Sequence, residues 1–339
     1  MKHEATIIET LERAMSGAGS GKVRADGRML RLGIGDDAAV ISPGRGREWV
    51  ISCDAFLEGV HFLERETPAD AVGWKALVRA TSDLAAMGAT PRLFLLTLAL
   101  PGGKTGPWLK EFARGMGRAA RSLGIKLAGG DTTANSKVAI GVTVLGEVER
   151  GRAIRRSGAR AGDIIYVSGS LGRAELGLRV LQAERRGLGG QRRAALVRPH
   201  FYPSARVELG RWVAGQRVAS AMMDLSDGLS TDLARLAAAS GVGARVWAER
   251  VPRVNVPDEL RRARSGRFDA LELALHGGDD YEMLFTVPRR KAGLLRRAPG
   301  GAKLTAIGEI TREKRIVLIG LDGVGKILSA RGWDSFRKG

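Results

Sequence analysis

The feature that most constrains this chain is a repetition of carboxylates beside glycines. Gly33-Ile34-Gly35-Asp36-Asp37 runs straight into Ala38-Ala39-Val40, and acids recur at Asp54, Asp83, Asp131, Asp224 with Asp227, and Asp279-Asp280. Most fall at the ends of predicted strands or at element boundaries. Adjacent like charges repel, while glycine lets the backbone take positive φ and approach a ligand closely. One such pair alone reads equally well as a solvated turn, for which Asp is a good residue. The whole set reads differently. If most of these acids converge, their mutual field is untenable without bound divalent cations. The fold must then bring strand ends from both halves of the chain to one place.

The available donors select the metal. Only oxygen ligands are on offer, without a His/Cys cluster, so the cation is hard: Mg²⁺ above all, with Mn²⁺ as the alternative. The single cysteine, Cys53, excludes an internal disulfide and every multi-cysteine zinc arrangement. Mg²⁺ shares carboxylates with substrate phosphates, so the chemistry that fits is phosphoryl transfer from a nucleotide. The loop Ser16-Gly17-Ala18-Gly19-Ser20-Gly21-Lys22-Val23 is not a P-loop, because Ser16 stands where the first glycine belongs and Val23 where a Mg²⁺-binding hydroxyl belongs. Gly320 to Gly325 lacks the dinucleotide-binding fingerprint and reads as a hairpin turn.

The elements alternate in kind. Helical spacing of Ile7, Ile8, Leu11 and Met15 predicts a short helix over 4–15. Trp49 to Ser52 reads as a strand delivering Cys53 and Asp54. Pro68 to Met87 reads as a long helix with Val72, Ala76, Leu77, Ala80 and Leu84 on one face. Asp83 lies on that apolar helix, where a carboxylate needs a partner or a metal. Strands are expected over 92–100, 125–128 and 138–148, and a helix over 107–123 with Trp108, Phe112, Met116 and Leu123 as its stripe. Arg150, Arg152, Arg155, Arg156 and Arg160 mark the junction between halves, read either as a solvated linker or as a source of guanidinium forks for phosphates.

Beyond the junction, strands are expected over 163–168, 219–223, 283–287, 303–310 and 315–319. Helices are expected over 172–186, 203–213, 229–239 and 268–275, with Arg192-Arg193 in an exposed loop. Asp227 sits near a helix start, where capping explains one acid but not Asp224 and Ser226 as well. The order predicts an α/β (α+β) chain of two α/β layers, without the strict repeat of a doubly wound fold. A chain of 339 residues divides naturally in two, here as 1–149 and 150–339.

Ordered along the chain, seven motifs resemble the thiamine-monophosphate kinase family. They are Gly-Ile-Gly-Asp-Asp (33–37), Ser-Cys-Asp (52–54), His61-Phe62, Ser82-Asp83-Leu84-Ala85-Ala86-Met87-Gly88-Ala89, Gly-Gly-Asp-Thr-Thr (129–133), Asp-Leu-Ser-Asp-Gly (224–228) and Gly-Gly-Asp-Asp-Tyr-Glu (277–282). The resemblance covers nearly the whole chain. It implies the two-domain fold shared with aminoimidazole ribonucleotide synthetase, with an amino-terminal domain that dimerises by joining sheets and a carboxy-terminal α/β domain. It also implies ATP-dependent phosphorylation of thiamine monophosphate to thiamine diphosphate, assisted by several Mg²⁺ ions. The sequence leaves open whether K⁺ assists as well.

Carried over by motif, Asp37, Ser52, Cys53, Asp54, Asp83, Asp131, Asp224 and Asp227 would hold the metals. Asp37, Asp83 and Asp131 would be central to catalysis. Gly130, Asp131, Arg156 and Ser226 would contact ATP, and His61, Asp279 and Trp333 would meet thiamine monophosphate, Trp333 by stacking on a cationic or aromatic ring. Three positions depart from the family pattern. Cys53 stands where Thr is frequent, and a thiol is a poor Mg²⁺ ligand, so a backbone carbonyl or no ligand fits better there. Asp279 replaces a frequent Glu, and Trp333 a position where Tyr is also seen. Within Asp36-Asp37 the motif favours Asp37 as the ligand and leaves Asp36 a structural part.

Selenophosphate and purine-pathway synthetases share the superfamily, but the Gly17–Lys22 loop lacks the reactive cysteine of the former, and the tail Phe336-Arg337-Lys338-Gly339 lacks the terminal cysteine of the hydrogenase-maturation relative. A formal charge of +19 raises nucleic acid as a partner, yet the arginines are spread along the chain and no binding motif is present. A protein that only binds thiamine phosphates is disfavoured by the full acidic set. The longest apolar stretch, Leu93 to Leu100, is too short to span a bilayer, and the amino terminus lacks a signal-peptide layout. The expectation is a cytoplasmic homodimeric enzyme.

Overall fold

The computed structural model describes residues 30–32, 37, 39–44, 46–183, 189–261 and 268–336. The helix expected over 4–15, the Ser16–Val23 loop and Asp36 lie outside the described residues.

Among the described residues, the first half forms one six-stranded sheet of β1 (Leu30–Leu32), β2 (Ala39–Gly44), β3 (Arg47–Leu57), β4 (Thr90–Leu100), β5 (Lys126–Ala134) and β6 (Ala139–Glu149). Their order across the sheet is β1-β2-β3-β6-β4-β5. All neighbours are antiparallel except β4 and β5, which run parallel with Thr97 opposite Asp131. Two helices, α1 (Ala69–Ala86) and α2 (Pro107–Leu123), cover one face. The period of two is clear in β6, where Ile140, Val142, Val144 and Val148 point into the helices. The expected α2 stripe packs there, with Phe112 and Met116 buried and Trp108 stacked on Phe112.

The strand expected over 125–128 is longer than its sequence suggests. It runs through Gly129-Gly130-Asp131-Thr132-Thr133, so these residues are edge strand rather than loop. A Cβ at Gly130 would overlap the Leu96 carbonyl oxygen, so that glycine is required by the neighbouring strand. Every residue of β5, Leu127 included, is exposed, as is Leu95 on the neighbouring β4.

Among the described residues, the second half forms a seven-stranded sheet. In chain order its strands are β7 (Ile164–Ser168), β8 (Ala221–Asp224), β9 (Gly243–Trp247), β10 (Met283–Val287), β11 (Leu304–Thr311), β12 (Ile316–Ile319) and β13 (Gly325–Ile327), and across the sheet the order is β13-β12-β9-β11-β7-β10-β8. The helices are α3 (Arg173–Gln182), α4 (Gly190–Phe201), α5 (Val207–Gly215), α6 (Leu229–Ser240), α7 (Asp258–Arg261) and α8 (Ala270–His276). Gly320 to Gly325 is the hairpin turn the sequence predicts, joining β12 to β13. Two expectations are corrected. Arg192 and Arg193 lie in α4 rather than in a loop, with Arg193 donating to the Val180 and Leu181 carbonyls at the end of α3. β9 was not expected, and it pairs with both β11 and β12 in the sheet interior.

Helix α1 belongs to both halves. It packs on β3 and β6 of its own sheet and on α5 and β8 of the other, so residues all around it are buried. Its polar residues Lys75, Arg79 and Asp83 recur every fourth position and therefore form one stripe.

Candidate active site

Three carboxylates from three separate elements meet beside that stripe. Asp37 precedes β2, Asp83 lies in the last turn of α1, and Asp224 ends β8. One oxygen of each lies within 4.8 Å of the others. The Asp37 and Asp224 side chains are buried. Burial, followed by the charges of Asp54, Asp224 and Asp37, pushes the Asp83 carboxyl well above its usual range. Burial and then Asp37 push Asp224 up to about 7. Carboxylates so placed are hard to ionise together, and an all-oxygen set of this kind suits Mg²⁺.

Neighbouring groups hold the cluster in shape. Ser52 donates to Asp83 Oδ2 at 2.5 Å and to the Asp37 carbonyl at 3.3 Å. The Arg156 guanidinium forks onto Asp37 Oδ1, its Nε at 2.9 Å. Asp54 follows Ser52 by two residues and shares its face of β3. Asp54 contributes to the field on Asp83 and pairs with Arg79 Nε at 3.0 Å. Strand alternation turns Cys53 the other way: its exposed Sγ lies 3.3 Å from Thr143 Oγ1 on β6. The Cys53 thiol therefore faces away from the carboxylates, leaving only its backbone carbonyl on offer there.

Two more predicted ligands stand apart from the three. The Asp227 carboxylate is ion-paired to Arg235. No side chain caps α6, whose N-cap is Gly228, so Asp227 does not serve as its cap; Asp232 in the first turns reaches back to accept from the Asp227 and Gly228 amides at 3.0 Å each. Asp131 is exposed on β5, where its Oδ1 accepts from the Thr132 amide at 2.9 Å, and Gly130 precedes it on the same edge strand. Ser226 lies between Asp224 and Asp227, and its carbonyl accepts from the Asp279 amide at 2.8 Å.

The Gly-Gly-Asp-Asp-Tyr-Glu segment (277–282) divides its adjacent acids. Asp280 turns to the amides of Gly172 and Ala174 at the start of α3, at 2.5 and 3.2 Å. Burial nevertheless raises its carboxyl to about 7. Asp279 turns to the boundary between the halves and pairs with Lys75 at 2.7 Å. Burial would raise the Asp279 carboxyl, but the nearby cations, Lys75 foremost, hold it well below the usual carboxylate range. His61 is held by the Leu57 amide, which donates to Nδ1 at 3.0 Å. Burial and then Arg79 lower its pKa to about 4, so the ring is neutral at neutral pH. Trp333 is half exposed, and its amide donates to the Asp227 carbonyl at 3.0 Å.

Sequence reasoning missed Lys75, Arg79 and Tyr281. The signal that could have found the first two is the four-residue spacing of 75, 79 and 83 through an otherwise apolar helix.

The chain is similar to known proteins along most of its length. Residues 35–148 match the model of the AIR synthase related protein, N-terminal domain, and residues 160–320 match its C-terminal domain. The chain is 37% identical over 317 residues to the thiamine-monophosphate kinase of Salmonella typhimurium, covering 93% of this chain and 95% of the relative. It is 33% identical over 312 residues to that of Bacillus subtilis, covering 90% and 94%. Among solved structures, AaThiL complexed with AMPPCP and TMP superposes with a TM-score of 0.81 at 31% identity, over 98% of this chain and 97% of that one. The thiamine-monophosphate kinase of Stenotrophomonas maltophilia gives 0.73 at 36% identity, over 96% and 99%.

Proposed function

The chain belongs to the thiamine-monophosphate kinase family of AIR-synthase-related proteins, and from that premise we propose how its residues carry the reaction. It is a kinase that transfers a phosphoryl group from ATP to thiamine monophosphate, forming thiamine diphosphate. The observation that carries the reading is the meeting of Asp37, Asp83 and Asp224, whose oxygens lie within 4.8 Å of one another.

Mg²⁺ fits this donor set, with Asp37, Asp83 and Asp224 as its protein ligands and Asp54, Asp131, Asp227 and the Cys53 carbonyl as further candidates. When bound, it neutralises charge on the nucleotide phosphates. Ser52 holds Asp83 in the orientation that faces the other two carboxylates. Arg156, already on Asp37, supplies a fork for ATP phosphate oxygens, with Gly130 and Ser226 lining the nucleotide. The attacking oxygen belongs to the acceptor's own phosphate, whose second pKa is about 6, so it is ionised near neutral pH and needs no general base. Catalysis then consists of aligning two polyanions and offsetting their charge, with direct in-line transfer. His61, neutral and half-buried, acts as a hydrogen bonder in the acceptor pocket, beside Asp279 and Trp333.

The same reading divides the chain into functional halves at 149/150 and makes it a cytoplasmic homodimer. Support for the dimer comes from β5, which among the described residues pairs along one edge alone, and from the exposed Leu95 and Leu127 on β4 and β5. Light scattering of the purified protein tests it. Incubation with ATP, Mg²⁺ and thiamine monophosphate tests the reaction. Thiamine diphosphate is the expected product, and its absence together with turnover of unphosphorylated thiamine or a purine precursor would overturn the assignment.

A further inference from the structure

Lys75 has no part in the chemistry described so far, yet its setting is unusual. It sits mid-way along α1 among buried Ala71, Ala76, Leu77 and Val78, and is itself only 2% exposed. Its Nζ crosses to the second half of the chain and meets Asp279 Oδ2 at 2.7 Å. The other Asp279 oxygen accepts from Tyr281 Oη at 2.6 Å. Asp279 and Tyr281 both take positive φ, 66° and 50°, a conformation that side-chain-bearing residues hold only when their surroundings impose it. Those surroundings are identifiable. The Asp279 and Tyr281 amides donate to the Ser226 and Leu225 carbonyls at 2.8 and 2.9 Å, lacing this loop to the one that carries Asp224.

The ion pair is also lopsided. The ammonium side chain is 3% exposed, whereas the carboxylate side chain is 30% exposed. A buried ion pair is a weak source of stability, and apolar replacements of similar volume often serve as well. Its distinctive effect is to fix where the charge stands. Here the closed cation lies behind an open anion, close to Arg79, Asp54 and His61.

We propose that Lys75 is a positioning residue for the phosphoryl acceptor: with Tyr281 it fixes the Asp279 carboxylate as the negative group that receives the acceptor's cationic ring. This rests on the reading of the acceptor as thiamine monophosphate, whose thiazolium carries a permanent positive charge. Lys75 makes no contact with the acceptor. It sets the place and orientation of the group that does.

The test compares wild type with Lys75→Met, Tyr281→Phe and Asp279→Asn in steady-state kinetics, varying ATP and thiamine monophosphate separately. A phosphorylated thiazole without the positive ring charge serves as competitive probe. Loss of one hydrogen bond to a charged group corresponds to roughly a tenfold change. Lys75→Met and Tyr281→Phe are therefore expected to raise KM for the acceptor about tenfold, to leave KM for ATP within about twofold, and to change inhibition by the uncharged probe less than about threefold. Tyr281→Phe removes only a hydroxyl, so it carries the test if Lys75→Met does not fold. An acceptor effect in Asp279→Asn without one in Tyr281→Phe or a folded Lys75→Met overturns the positioning role and leaves the kinase reading intact. A fall in kcat at unchanged acceptor KM, or equal effects on both substrates, also overturns it. If wild type does not phosphorylate thiamine monophosphate at all, the underlying reading fails instead.

Discussion

Asp224→Asn in metal-free protein isolates the electrostatic cost of the site. The Asp224 carboxyl is 2% exposed, and burial together with Asp37 raises it from 3.8 to about 7. Above pH 7 the ionised group destabilises the native state by on the order of 4 kcal/mol relative to the unfolded chain, at about 1.36 kcal/mol per pH unit. The folded pKa lies above the unfolded one, so the group's stabilising contribution is complete below about pH 4 and is lost as pH rises through about 7. Asn is neutral throughout and escapes this penalty. In EDTA at pH 8 the variant is therefore expected to melt roughly 8–16 °C above wild type, at about 2–4 °C per kcal/mol for domains of this size. The gap should shrink to less than half by pH 5. Mg²⁺ should invert the order by raising the wild-type Tm and barely moving the variant. Calorimetry across pH 5–8, with and without Mg²⁺, reads all three effects. A variant that melts below metal-free wild type at pH 8, with a gap independent of pH, would refute the conflict among the carboxylates.

Three further outcomes follow from the geometry. Cys53→Ser should leave kcat and the Mg²⁺ dependence within about twofold, because Sγ lies on the face of β3 opposite Ser52 and Asp54; Mg²⁺ titration of activity checks this. His61, held neutral with a pKa of about 4, should give no ionisation in kcat/KM between pH 5.5 and 8; an inflection near 6.5 that His61→Gln abolishes would contradict its assignment as a neutral hydrogen bonder. Gly332→Ala should displace the tail, since a Cβ there would overlap the Asp227 carbonyl and weaken the Gly332 amide's bond to Thr231 Oγ1 at 3.0 Å. Trp333 would shift with it, expected as a change in tryptophan emission and a several-fold rise in acceptor KM, with Tm within about 2 °C.

Local pattern made much of this fold legible. The helix expected over Pro68–Met87 forms as Ala69–Ala86, and the strand over 283–287 forms as Met283–Val287. Both have strong periodicity and clear ends. The misses have physical causes. β9 carries an exposed Arg245 between buried Ala244 and Val246, an alternation too short to stand out from loop sequence. α4 contains Arg192-Arg193 and ends with Pro199 inside its last turn, features that read as a break until Arg193 is seen to reach the α3 carbonyls. The acids of the site were legible as a set, but not their grouping. Asp37, Asp83 and Asp224 converge through pairings between distant strands and helices, whereas Asp227 finds Arg235 in the helix that directly follows it. The Cys53 thiol was excludable from sequence alone, since a strand that turns Ser52 and Asp54 inward must turn that side chain away. Lys75 and Asp279 stand 204 positions apart, and no local pattern announces such a pair.

The geometry also explains why one helix should serve both halves of the chain. Lys75 and Asp83 are eight residues apart on α1, about 12 Å at 1.5 Å per residue. Lys75 anchors the carboxylate proposed to receive the acceptor's ring, and Asp83 belongs to the cluster proposed for the metal and nucleotide phosphates. Transfer between two polyanions requires their reacting atoms to be held near 3–3.5 Å in line, and errors of about 1 Å are costly. Had the two anchors stood on loops of separate domains, small relative motions would spread that distance. Placed two turns apart on a single helix buried on all sides, they are separated by a rigid spacer, and Arg79 between them neutralises Asp54. On this proposal, the polar stripe through an apolar helix is the structural element that ties acceptor position to phosphate position.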